Sequence, residues 1–358
     1  MNKKLIAVAL AALPVAAMAD VTLYGTIEAG IENGKTYAQS SDLVDGKPVA
    51  GLFQRNADGK LKSGTRIDDT GSLIGFKGSE DLGNGLKAIW QVEQGLNIDG
   101  TTGPTSGNGY GNTFATRDSF VGLQGDFGKV RIGKLSTFNN SDMGNADSWI
   151  YGTGVNGLYY SSINLLDGRV NNAVRYDSPE FAGFRATALY GVDETRALNA
   201  DGNRTNQAVW NLGLGYQNSG FYGNFGYVAK KDQGADNNKT DYYWRLEGGY
   251  AANNLSVDLY GGRQKFYSED TEAKEAGVTV GYTIGALTPK FSYGRVWDIR
   301  DISTNEKVAD NKINQYVIGV DYAMSKRTTS YVSFGSAHHE ADDAQTERTF
   351  AVGLKHKF

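Results

Sequence analysis

The stretch Asn206–Lys231, NQAVWNLGLGYQNSGFYGNFGYVAKK, decides the fold. Trp210, Leu212, Leu214 and Tyr216 alternate with Asn211, Gly213, Gly215 and Gln217. After Asn218-Ser219-Gly220, Phe221, Phe225 and Tyr227 alternate with Tyr222, Asn224 and Gly226. A period of two is the signature of a strand with one apolar and one polar face, and a short Gly-containing turn between two such runs makes a hairpin.

The same pattern extends in both directions. Downstream it repeats at 241–252, 255–266, 274–284, 286–297, 313–323, 328–338 and 347–358. Upstream it is found at 20–33, in a segment ending SLIGFKG, and at 86–94, 117–124, 130–134, 173–178 and 184–192, which makes sixteen strand candidates in all. Tight turns at Asn218-Ser219-Gly220, Asn253-Asn254, Gly285 and Ser325-Lys326-Arg327 interleave with longer polar loops near 195–204, 232–239, 300–311 and 339–345. Short turns on one rim and long loops on the other are the pattern of an outer-membrane barrel. A soluble sandwich shows similar alternation but has no reason to alternate its turn lengths.

Composition agrees. MNKKLIAVALAALPVAAMA has basic Lys3 and Lys4, an apolar run and Ala17-Met18-Ala19 before Asp20, the plan of a secretory leader spanning residues 1–19. Its apolar run is shorter than the ~20 residues a membrane helix needs. Residues 20–358 then read as one barrel domain with no run of apolar residues long enough for a spanning helix. Gly is 47 of 358, Tyr 21, Pro 5 and Cys 0, so no disulfide holds the exported chain together. Without Lys3 and Lys4 the chain carries 34 basic and 40 acidic residues, a charge of about −6 that excludes a nucleic-acid partner.

The departure from alternation is the stretch 135–172, rich in Gly, Asn, Ser and aromatics and holding Asp142, Asp147 and Asp167. A loop this long inside a compact domain is functional or disordered. Phe138, Trp149, Tyr151, Tyr159 and Tyr160 argue against disorder.

Four segments, GFKGSEDLGNGLKAIWQVEQ (75–94), SFVGLQGDFGKVRIGKL (119–135), RYDSPEFAGF (175–184) and VGLKHKF (352–358), resemble the general porins of Gram-negative outer membranes, most closely their neisserial and β-proteobacterial branch. The resemblance covers the mature chain. It implies an all-β, 16-stranded antiparallel transmembrane β-barrel in the outer membrane, a homotrimer among membrane lipid and lipopolysaccharide, and a third external loop, here 135–172, folded inward. It also implies a terminal Phe358 read by the barrel-assembly machinery.

A porin passes small ions and hydrophilic solutes through water, so width and field at the narrowest point govern it. The family arrangement sets loop acids against basic wall residues. Asp142, Asp147 and Asp167 are the acidic candidates, each equally readable as a solvated loop carboxylate or a cap. On the wall, Arg131 alternates with Val130 and Ile132, and Arg175 with Val174 and Tyr176. Arg117 matches a basic wall position of the family, yet strict alternation would then turn Val121 and Leu123 inward, a conflict that a bulge or a loop position resolves. Lys77, Lys87 and Arg185 share the inward parity nearer the short-turn rim. Related porins carry Arg or Lys where this chain has Leu73, so weak selectivity leaning toward cations is expected.

Trp210, Tyr216, Phe221, Tyr250, Tyr282, Tyr322 and Phe358 fall at strand ends on the outward parity, as an interfacial girdle requires. A substrate-selective channel would need an inward aromatic row, for which only Tyr222, Tyr243 and Tyr260 qualify. A barrel hydrolase needs a nucleophile and base, and the only His residues are His338, His339 and His356. Adjacent strand residues such as His338 and His339 point to opposite faces. An adhesin would not need the long loop inside. No cofactor or metal ligand set is identifiable.

Overall fold

The structure is a computed structural model describing residues 21–35, 43–44, 47–48, 63–100, 114–150, 155–158, 168–194, 197–234, 237–308, 312–340 and 346–358. Residues 1–19, expected to be a leader, lie outside these, as do Tyr151, Tyr159, Tyr160 and Asp167. The first wall strand is β1 (Thr22–Lys35), and β2 (Leu43–Val44) and β3 (Lys47–Pro48) pair only with each other. The wall continues through β4 (Gly64–Asp69), β5 (Leu73–Gly83), β6 (Leu86–Gly95), β7 (Ser119–Gly125), β8 (Gly128–Ser136), β9 (Arg169–Asp177) and β10 (Phe184–Gly191). It then runs through β11 (Val209–Asn218), β12 (Phe221–Gln233), β13 (Lys239–Ala252), β14 (Leu255–Phe266) and β15 (Thr271–Tyr282). The last four are β16 (Leu287–Asp301), β17 (Lys312–Ala323), β18 (Thr328–His339) and β19 (Glu347–Lys357).

Each strand pairs antiparallel with its neighbour, and β19 returns to β1 with Thr26 opposite Lys357 and Lys35 opposite Arg348. Gly25 and Phe358 exchange backbone hydrogen bonds of 3.2 and 3.1 Å at the end of this seam. The sheet has seventeen segments, but β4 and β5 both pair with β1, above and below a bend at 70–72, and together make one wall strand. The barrel therefore has sixteen wall strands. The segment β4 lies in the stretch that leads into SLIGFKG, and its sequence GTRIDD lacks a clean apolar face.

The tight turns are built from residues that tolerate left-handed backbone. Asn253 and Asn254, at φ 52° and 67°, make the two-residue connection of β13 and β14. Two consecutive positive φ values define the type I′ turn, whose twist matches paired strands.

The face analysis holds along the barrel. Leu212, Leu214, Leu246, Leu259 and Ile318 are outward and exposed, while Asn211, Glu247, Gln315 and Thr349 are inward and buried. Phe184 packs on Tyr216 and Phe221 on Tyr250 at the short-turn rim, with ring centroids 4.6 and 4.8 Å apart. Tyr190 and Trp210 pair near the other rim at 4.4 Å. Val121 and Leu123 face outward, which is possible because Arg117 precedes β7 and lies in a loop.

The apolar outer face sets the first expected outcome. Leu212→Arg places a charge in the lipid-facing belt and should lower unfolding stability by about 2–4 kcal/mol, or less if the site lies toward an interface. Chemical denaturation of protein folded into phospholipid vesicles measures it. A change near zero would mean that this face does not meet lipid.

Candidate pore constriction

The strands on either side of the long connection run further than alternation suggests. β8 continues to Ser136 and β9 begins at Arg169, leaving 137–168 as the connection, with β8 bulged between Gly133 and Leu135. It opens with one helical turn, α1 (Phe138–Ser141), where the Thr137 hydroxyl accepts a hydrogen bond from the Asn140 amide. The described residues of this connection pack against inward-facing side chains of every wall strand from β11 to β19.

Wall side chains hold the loop backbone. Asn211 Oδ1 accepts from the Phe138 amide at 2.6 Å, and the two Glu247 carboxylate oxygens accept from the Gly144 and Asn145 amides, both at 2.9 Å. The indole of Trp149 donates to Ser292 Oγ at 2.8 Å. Lys290 donates to the Ser148 carbonyl at 2.6 Å while its ammonium lies over the Trp149 ring. Further along, Gln315 donates to the carbonyls of Val155 and Gly157, and Ser333 to Asn156 Oδ1.

Apolar contacts complete the seat. Trp149, Ala146 and Leu158 cluster with Tyr260 and Val317, and Val155 with Ala273, Val296, Ile313 and Ala337. Several wall glycines make room. A Cβ on Gly213 would lie 2.1 Å from the Phe138 ring, and one on Gly335 would strike the Val155 carbonyl. Apolar and side-chain-free inward positions thus sit under the loop between the polar anchors Asn211, Glu247, Lys290 and Gln315.

The wall arginines face inward but each meets an acid. Arg131 contacts Asp177 at 2.6 Å, and Arg117 contacts Glu93 at 2.6 Å. Arg175 is only 3% exposed and reaches loop Asp142 and wall Asp177, both at 2.7 Å, as well as the Ser136 carbonyl at 2.7 Å. Asp142 therefore touches its basic partner instead of facing it across open water. Arg185 joins this group, with Asp142 at 3.8 Å and the Phe138 ring beneath its guanidinium. Sequence parity puts Arg185 near the short-turn rim, and only the loop's entry into the barrel brings Asp142 down to it.

Asp147 has a different setting. Its Oδ1 is buried with no hydrogen-bond partner among the described residues, and burial pushes its carboxyl up to about 7, against the pull of the Leu158 and Trp149 amides, Lys290 and Arg245. Asp167 is outside the described residues. Lys77, held over the Tyr24 ring, and Lys87 are exposed on the inward face, away from the loop contacts. Leu73 is opposite Thr26 on the inward parity, two residues from Glu28 in β1.

Sequence reading missed Glu93, Asp177, Arg245, Glu247 and Lys290. Their inward parity was legible, but which of them would meet the loop was not. Tyr243, bonded to Glu275 at 2.6 Å, and Tyr260 are buried. They do not form an exposed aromatic track. His339 is buried against Glu347 at 3.0 Å, whereas His338 is exposed on the opposite face.

Two outcomes follow from this seat. Glu247→Ala removes the acceptor of two loop amides, each bond to a charged group being worth about 1.5–3 kcal/mol, so open-channel current noise in planar bilayers should rise. Unchanged noise would mean that the carboxylate does not restrain the loop. The raised carboxyl of Asp147 favours the protonated docked form, so docking weakens as pH rises from the ordinary carboxylate range through about 7 and is constant above that. Hydrogen exchange of the loop amides should follow that trend, and Asp147→Asn should flatten it.

The profile of the Gram-negative porin family matches residues 7–342 of this chain. The major outer membrane protein P.IB of Neisseria sicca is 38% identical over 385 residues, covering 100% of both chains. The protein of that name from Neisseria meningitidis serogroup A is 39% identical over 367 residues, again covering all of both. Among solved structures, the anion-selective porin from Comamonas acidovorans superposes with a TM-score of 0.72 at 20% identity, covering 95% of this chain and 100% of that one. OmpT of Vibrio cholerae in its trimer form superposes at 0.64 with 17% identity, covering 94% and 99%. A closed barrel with an apolar outer face and a charged interior, matched over its length by these relatives, makes this chain a member of the Gram-negative porin family, an outer-membrane channel for small solutes.

Proposed function

We propose that the connection 137–168 and the wall beside it form the constriction of a general diffusion channel with weak selectivity leaning toward cations. The observation that carries this is the pairing of every wall arginine singled out from the sequence. Arg117, Arg131 and Arg175 are each within 2.7 Å of a carboxylate, so none faces the pore without an acid beside it, although Arg131 and Arg175 share Asp177. On the wall opposite the loop, Glu28, Glu32 and Asp68 are on the inward parity, and Arg66 and Lys355 compensate only part of their charge. A narrow water-filled path between low-dielectric walls strengthens whatever charge remains. Asp142 is the loop acid that contributes most, Asp147 contributes a partial charge near neutral pH, and Asp167 is a third candidate.

A substrate-selective channel lacks an exposed aromatic track among the described residues, because Tyr243 is buried against Glu275 and Tyr260 packs under the loop. The trimer form of the OmpT neighbour supports a homotrimer here. Residues 1–19 act as the export leader, and Phe358, which ends the closing strand, acts as the signal for barrel assembly.

Planar-bilayer recording across a potassium chloride gradient tests this reading. Stepwise insertions closing in thirds, with a small reversal potential of cationic sign, are expected. A clearly anionic reversal would overturn the charge balance, and no conductance from folded protein would overturn the constriction reading. Leu73→Arg adds an inward cation near Glu28 and should move the reversal toward anions. If the reversal stays put, position 73 lies outside the field of the narrowest section.

A further inference from the structure

One carboxyl group of the loop is buried with no base of its own. Asp147 accepts the backbone amides of Trp149 and Leu158, so it ties the outgoing limb of the loop to the buried segment 155–158. Its Oδ1 takes part in neither bond and has no partner among the described residues.

The charged groups that the surrounding wall turns toward it are engaged with one another. From β13, Arg245 lies 3.9 Å from Glu247, whose oxygens also hold the Gly144 and Asn145 amides. From β16, Lys290 contacts Asp321 of β17 at 2.8 Å. β15 brings Glu275, bonded to the Tyr243 hydroxyl, and β14 brings Tyr260 and Asp258, the latter bonded to the Tyr222 hydroxyl of β12. β18 and β19 bring His339 and Glu347, bonded to each other, and β11 brings the uncharged Asn211. Lys290 and Arg245, the bases that act on Asp147, thus already face Asp321 and Glu247. A charge on Asp147 adds repulsion from those acids to the cost of leaving water. A protonated Asp147 avoids both.

We propose that Asp147 is a proton-operated latch of the channel: the loop stays on β13 to β17 while Asp147 holds its proton, and loss of that proton frees the loop and widens the aqueous path. The proposal rests on the constriction reading. Only the seated form keeps the carboxyl dehydrated, so the seated form binds the proton more tightly than the released one. Rising pH therefore favours release until the seated carboxyl itself ionises, at about 7, and adds nothing beyond. The channel is narrower in acid than in neutral solution.

Planar-bilayer recording in concentrated potassium chloride, which screens the fixed charges of the wall, tests this from about pH 4, the ordinary carboxylate range, to about pH 9. The ratio of time spent at the wider to the narrower conductance level should rise about ten-fold per pH unit up to about 7 and stay level above it. Asp147→Asn has no such proton to lose and should remove the slope. A second readout follows the loop directly in detergent-folded protein. The chain has no cysteine and Ala146 is fully buried, so Ala146→Cys reacts with a bulky thiol reagent only from the released form. Its rate, divided by that of exposed Ser325→Cys to cancel the ionisation of the thiol, should follow the same curve. Flat labelling with a flat conductance ratio would overturn the latch and leave the constriction reading standing. Labelling that rises with no change in conductance would overturn the constriction reading, and the widening with it. A slope that persists in Asp147→Asn, or conductance that falls as labelling rises, would overturn the proposal too.

Discussion

Lipid offers the backbone no hydrogen-bond partner, and the rest of this structure depends on that constraint. A sheet in hydrocarbon must close, because each unpaired amide or carbonyl on an open edge costs several kcal/mol. Here β19 pairs with β1 over ten residue pairs, and the terminal Phe358 exchanges both backbone bonds with Gly25. Closure inverts the usual polarity. Leucine and isoleucine face out, charges face in, and no single apolar core exists.

The interior that closure creates is too wide to be filled by wall side chains alone, and the connection after β8 occupies part of it. The described part of that segment has few regular hydrogen bonds of its own, and wall side chains bond its backbone. Asn211, Glu247, Lys290 and Gln315 bond its backbone, and Ser292 holds the Trp149 indole. Burying so many polar groups is tolerable because nearly all are paired. The same seat explains the inward apolar side chains Val296, Ile313 and Val317, which would otherwise contradict the alternation.

Charge follows from this packing. Once the loop enters the barrel, Asp142 lies within reach of Arg175 and Arg185, and Asp147 is pressed between loop and wall, where desolvation opposes its ionisation. The family picture of acids facing bases across a gap becomes, for Asp142, a contact pair. Contact pairs exert weaker fields at a distance than separated charges do. The proposed charge balance therefore rests on the acids of the opposite wall.

The sequence by itself determined the strand number, the alternating turn lengths, the face of nearly every wall residue and the position of the long connection. Each of these is local, since a period of two needs only neighbouring residues to be read. It also identified Arg131 and Arg175 as inward, and Arg117 as a position where strict alternation must break. The partners were decided only by the tertiary structure. Glu93 is 24 residues from Arg117, and Glu247 is 103 from Gly144, so no local pattern links them. Which inward residues bear on solute and which hold the loop depends on where the loop lies, and that is settled by contacts between segments far apart in the chain.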